Sequence, residues 1–148
     1  MRPAILLVEP NAASASDLHQ ALVLVATVVV CPDFAGARHE LARSTYDFLV
    51  TNLRLRAFNG LHLVYLAKSS GIQTHSIVYT DRRDVALARE VQIAGAFYEL
   101  RERLPYVIGA YVAAALPSAD RRDAAQTDRR QMFRGGRRSS DVSSLAAV

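Results

Sequence analysis

Cysteine is nearly absent from this 148-residue chain, where Cys31 stands alone. One thiol cannot close an internal disulfide, so a disulfide-built secreted fold is excluded and a reducing compartment, the cytoplasm, is the expected location. Long apolar runs are missing too. No uncharged apolar run, Ala21 to Cys31 included, reaches the roughly 18 residues that a membrane-spanning helix needs, and no membrane partner is expected. Met1-Arg2-Pro3 followed by Ala4 to Val8 has the order of a secretion signal, but Glu9 and Pro10 end its apolar part too soon. His19, His39, His62 and His75 lie on different segments with no i, i+4 pairing, so neither a metal site nor a histidine phosphotransfer site is expected. A phosphate-cradling glycine loop and a Ser-His-Asp set are also missing.

What is present suits one packed domain and a tail. Hydrophobic types make up 51% of the residues and charged types 22%, close to the globular average. The formal net charge of +4 is concentrated at the end of the chain. From Ser118 onward, Arg121, Arg122, Arg129, Arg130, Arg134, Arg137 and Arg138 stand against Asp120, Asp123, Asp128 and Asp141, a surplus of three positive charges that leaves residues 1–117 nearly neutral. The expected organisation is a folded domain over 1–117 and a disordered Arg/Ser-rich tail over 118–148, with room for a short helix near 123–132.

Within the first 117 residues, short apolar runs alternate with helix-length amphipathic segments. This is the βαβα rhythm of a parallel sheet covered on both faces. Strands are predicted at Ala4 to Val8, Thr27 to Val30, Phe48 to Thr51, Ser76 to Tyr79 and Phe97 to Leu100. Asn11 and Asp33 are predicted to cap the first two helices, and the third follows Gly60. Asp84 opens a fourth helix with Val85, Ala88 and Val91 inward and Gly95 closing it, and Pro105 sits in the first turn of a fifth. The fold class is α/β, a doubly wound five-stranded parallel sheet of (βα)5 type. In such sheets ligands bind beyond the carboxyl ends of the strands, which here are followed by Glu9, Asn52, Thr80 and Glu102.

The order of these elements, together with Asn52-Leu-Arg-Leu-Arg-Ala-Phe-Asn59-Gly60, resembles the receiver domain of two-component response regulators, a flavodoxin-like (CheY-like) fold, over residues 3–116. Leu55, Asn59, Gly60, the strand-end Thr80 and the Gly95-Ala96 pair fit the family pattern. Asn52 stands where the resemblance implies a phosphoaccepting aspartate, Arg56 where it implies a proline, Pro10 where it implies a second metal-binding acid, and Glu102 where it implies a lysine. A carboxylate nucleophile, acids for Mg²⁺ and a cation for the phosphoryl charge are what that reaction needs. A carboxamide cannot attack phosphorus, and Glu9 alone keeps an acid, so weak or absent Mg²⁺ binding and no other cofactor are expected. The site Glu9, Pro10, Asn52, Thr80 and Glu102 is therefore that of a degenerate pseudo-receiver, with no catalytic and no metal-binding residue. The expected function is a phosphorylation-independent protein-contact module in phosphorelay signalling and not an enzyme; a scaffold kept only for folding or dimerisation is the plainer alternative. Arg54 and Arg56 either pair with Glu9 and Glu102, locking the pocket, or point to solvent.

Leu104 to Leu116 carries no charge, although a surface helix should have one polar face. If Ile108, Val112 and Ala115 pack on the sheet, then Tyr106, Val107, Ala110, Tyr111 and Ala114 face a partner, the tail or a second copy. Arg89, Glu90, Glu99 and Arg101 supply both charge signs nearby. A homodimer through the fourth and fifth helices is the leading expectation, in line with the family resemblance. Arg134-Gly-Gly-Arg137-Arg138 is similar to arginine-glycine segments that bind nucleic acid, and Arg137-Arg138-Ser139-Ser140 to basic-directed kinase sites. Interspersed aspartates and the single aromatic Phe133 argue against nucleic acid as a partner. The rivals are a response regulator phosphorylated on another residue, a small-molecule or nucleotide binder using the strand-end crevice, and tail-driven nucleic-acid binding.

Overall fold

The computed structural model describes residues 2–115; the tail over 118–148, the short helix near 123–132 and the Arg134 to Ser140 motifs lie outside the described residues. Strand and helix alternate: β1 (Ala4–Val8), α1 (Ala12–Leu22), β2 (Thr27–Cys31), α2 (Phe34–Arg43), β3 (Phe48–Asn52), a small hairpin of β4 (Arg54–Leu55) and β5 (Phe58–Asn59), α3 (Gly60–Ser69), β6 (His75–Thr80), α4 (Val85–Ile93), β7 (Phe97–Leu100), a 3-10 turn (Arg101–Arg103) and α5 (Leu104–Ala115). Five strands form one parallel sheet in the order β2-β1-β3-β6-β7. This is the doubly wound sheet that the strand rhythm predicts. The hairpin β4–β5 is an addition that the rhythm does not predict.

Burial follows position in the sheet. Ile5 to Val8, Phe48 to Val50 and Ile77 to Tyr79, on the three central strands, are fully buried, whereas the edge strands β2 and β7 keep exposed positions. Leu6, Val8 and Leu49 pack with Ala37 and Leu41 of α2 and Leu63 of α3. Val78 packs with Leu61 and Val64 of α3 and with Val91 of α4. Strand alternation sends Ile5 and Leu7 to the opposite face. Each such side chain contributes roughly 1.5–3 kcal/mol by leaving water.

Local chemistry sets the helix boundaries. Asn11 accepts from Ser14 N at 2.9 Å, Asp33 from Gly36 N at 2.8 Å and Asp84 from Leu87 N at 3.1 Å, each satisfying an otherwise orphaned helix-start donor. Gly95 has φ +88°, the left-handed conformation that ends α4 without steric cost. Val85 corrects the expected inner face of α4, being 76% exposed. This helix rests on the sheet through its C-terminal half, at Val91 and the following Ala94. Gly60 is required by close approach, because a Cβ there would lie 2.5 Å from the backbone oxygen of Asn52.

Candidate functional site

The carboxyl ends of β1, β3 and β6 lie side by side, and the loops that follow them enclose an open cavity of about 690 Å³. Its floor is built on Glu9, the residue after β1, which is only 3% exposed. Glu9 Oε1 accepts from the Tyr79 hydroxyl at 2.6 Å and from Asn52 Nδ2 at 3.1 Å, while Oε2 accepts from Asn11 N at 3.0 Å. A buried carboxylate is costly unless its oxygens are hydrogen-bonded. Here three donors answer it, and all three are neutral. Burial, and then the bond to Glu9, push the Tyr79 phenol far above the ordinary tyrosine range, so it remains a donor throughout the physiological range.

Register explains how Tyr79 reaches this point. Asn52 and Tyr79 are paired across β3 and β6, and Leu53 N continues the ladder to Tyr79 O at 2.9 Å. The other end of the Asn52 carboxamide is also occupied, since Oδ1 accepts from Arg54 N at 3.0 Å.

The divalent cation that a receiver-type site implies does not fit this donor set. Both Glu9 oxygens are already taken by hydrogen-bond donors, Pro10 offers no ligand, and Asn52 turns its amide nitrogen toward the acid. Among the described residues no group of three or more His, Cys, Asp or Glu side chains is arranged to hold a metal ion.

Two walls rise from the floor. On the β3 side the β4–β5 hairpin turns at Arg56, with φ +59°, and Phe58 stacks on Phe34 of α2 with ring centroids 4.5 Å apart. On the β6 side, Thr80 donates to Arg82 O at 2.7 Å, and the Tyr98 hydroxyl of β7 lies 2.5 Å from Thr80 Oγ1 and accepts from Asp84 N at 3.1 Å. Arg101 pairs with Asp81 through Nε at 2.7 Å. That bond raises the Arg101 pKa, and its charge acts on Glu9 and Tyr79 as well.

Glu9, Pro10, Asn52, Arg54 and Thr80 thus come together around one cavity. Glu102 and Arg56 do not. Glu102, expected to bring negative charge into the site, is exposed on the 3-10 turn that begins directly after β7, and Arg101 one residue earlier is the charge placed beside the floor. Arg56 is exposed at the hairpin tip. Among the described residues neither Arg54 nor Arg56 pairs with Glu9 or Glu102; both are exposed, the second of the two arrangements open to them, and neutral donors hold Glu9. Tyr79 and Tyr98 were not legible as site residues, although Tyr79 directly precedes the strand-end Thr80.

On the α4–α5 side, Arg89, Glu90 and Tyr106 are exposed, Tyr106 to 87%. Tyr111 differs from its expected outward role. It packs on Phe97 at 5.0 Å and donates to Glu99 Oε2 at 2.7 Å, which holds the phenol well above the ordinary range, by burial first and the Glu99 bond second. Leu104 and Ile108 of α5 are buried, and among the described residues no helix is long and apolar enough to cross a membrane.

The sheet order, the strand-end cavity and the loop arrangement define a receiver-type α/β fold. Solved structures agree. A signal receiver domain from Vibrio parahaemolyticus matches with a TM-score of 0.70 at 21% identity, covering 78% of this chain and 93% of that one. The receiver domain of an HD domain-containing protein from Pseudomonas fluorescens Pf-5 matches at 0.67 and 20%, covering 78% and 98%. A CheY-like response regulator receiver domain protein from Methanospirillum hungatei JF-1 matches at 0.67 and 16%, covering 78% and 97%. No protein-family model and no curated protein sequence matches the chain.

Proposed function

We propose that this protein is a receiver-like adaptor of two-component signalling, located in the cytoplasm, which works by protein contact without aspartyl phosphorylation and without catalysing a reaction. One observation carries this reading. The residue at the phosphoacceptor position is Asn52, and both ends of its carboxamide are engaged, Nδ2 with Glu9 and Oδ1 with Arg54 N. A carboxamide has no anionic oxygen with which to form an acyl phosphate. The test is incubation of the full chain with acetyl phosphate and Mg²⁺, followed by intact-mass measurement. No adduct is expected, and a base-labile phosphoryl adduct within residues 1–117 overturns the reading.

The contact surface we propose is the α4–β7–α5 face, with a second copy of the chain as occupant. Val85, Ile93, Phe97 and Tyr106 are 76%, 75%, 48% and 87% exposed there, and Arg89 and Glu90 place both charge signs beside them. Large apolar side chains clustered on an exposed face support an interface. Light scattering of the full chain at micromolar concentrations should give a dimer mass that Tyr106→Glu reduces to monomer. A monomer mass for the unaltered protein removes the proposal.

A further inference from the structure

The charges around the cavity divide into those already occupied and those still available. The lining carries Glu9, Asp81 and Asp84 against Arg54, Arg82 and Arg83, three of each sign. The acids are held by partners within the fold, Asp81 by a cation and Glu9 and Asp84 by neutral donors that leave their charge in place. Glu9 accepts three hydrogen bonds, Asp81 is paired with Arg101, and Asp84 caps α4. The three arginines are exposed and have no ion-pair partner among the described residues, although Arg83 lies 6.0 Å over the Tyr98 ring. Arg54 belongs to one wall, and Arg82 and Arg83 to the other.

We infer that the cavity is a metal-free, non-covalent site for a small polyanion, namely a phosphate ester of nucleotide size. Guanidinium groups on two walls suit a ligand with at least two separated negative charges, because each planar fork can hold a phosphate through paired N–H donors. Ser14 of α1 lines a third side and its hydroxyl has no hydrogen-bond partner among the described residues, which leaves it free to donate. Pro10 and Leu87 supply apolar surface for an organic moiety. About 690 Å³ lies within the roughly 300–1,000 Å³ of small-molecule sites, far more than inorganic phosphate alone would fill. In this arrangement the arginines supply the neutralisation that a cation provides elsewhere, so binding does not require Mg²⁺. The inference goes beyond the phosphorylation-blind reading and fails separately from it, since a binding titration and a covalent label report different events.

The test is NMR titration of the full ¹⁵N-labelled chain with ADP, and in parallel with inorganic pyrophosphate, in the absence of Mg²⁺. Saturable shifts are expected at the amides of Ser14, Arg54 and residues 82–87. The triple variant Arg54→Ala, Arg82→Ala, Arg83→Ala should weaken ADP binding about tenfold or more, as loss of charge-assisted contacts requires. Arg54→Ala alone should cause a smaller loss and provides the test if the triple variant misfolds. Shifts that do not saturate, shifts confined to residues 121–138, or unchanged affinity in the variants overturn the inference. Saturation by pyrophosphate with none by ADP overturns the assignment of nucleotide size.

Discussion

The two walls of the cavity are held by different physics. The β3 wall is fixed by backbone geometry and packing: Gly60 lets α3 approach Asn52, the β4–β5 ladder pairs Arg54 with Asn59 and Leu55 with Phe58, and Phe58 stacks on Phe34. The β6 wall depends on polar bonds that converge on one phenol. The Tyr98 hydroxyl ties Thr80 to Asp84 N and donates to Arg82 O at 3.3 Å, to which Thr80 donates as well. The first wall is held mainly by shape, whereas removing one oxygen takes the Tyr98 bonds from the second and leaves it Thr80 to Arg82 O and Arg101 to Asp81. This asymmetry makes the loop after β6 the adjustable side of the molecule.

The sharpest way to break the comparison is Gly60→Ala. The added methyl would meet a backbone oxygen at 2.5 Å, and the expected loss is about 3 kcal/mol, the upper range of overpacking, read by urea denaturation. Asn52→Asp is next. It replaces the Nδ2 donor with a second carboxylate facing Glu9, 3.1 Å away in the present geometry, and should cost about 2 kcal/mol at neutral pH. The loss should shrink on acidification, because a shared proton removes the repulsion. Destabilisation that does not change with pH would show that the carboxylates move apart.

Tyr98→Phe tests the second wall. Stability should fall by about 1 kcal/mol, while amide exchange rises selectively at residues 81–84 and stays unchanged in the hairpin. Equal acceleration on both walls would abolish the contrast. The last effect is confined to alkaline pH. Burial, and then the bond to Glu40, push Tyr46 up to about 12, whereas an unfolded tyrosine ionises near 10.0. The folded state prefers the neutral phenol, so this contribution is complete below the unfolded value and disappears as pH rises through the folded one. Tyr46→Phe should flatten the stability profile in that window.

Most of the framework was legible because it is written in neighbouring residues. Asn11, Asp33, Asp84 and Gly95 act within three or four positions of themselves, so their roles follow from local chemistry. The floor of the cavity was only half legible. Glu9 and Asn52 are marked by standing at strand ends, but the third member, Tyr79, lies 70 residues from Glu9 and looks like any apolar strand residue. The Arg101/Glu102 offset was illegible for another reason. Which of the two reaches back toward the sheet depends on where the 3-10 turn begins, and spacing along the chain does not encode that. The hairpin was missed because each arm is two residues long, too short for a period.

Tyrosine and glutamate meet three times in this molecule, at Tyr46 and Glu40, Tyr79 and Glu9, and Tyr111 and Glu99, in bonds of 2.6, 2.6 and 2.7 Å. The sequence holds six tyrosines and no tryptophan. A carboxylate that accepts from a phenol quenches part of its emission, so these three tyrosines are expected to emit weakly while the chain is folded. Unfolding should brighten the ultraviolet emission, giving the protein a label-free optical gauge of its own folded fraction.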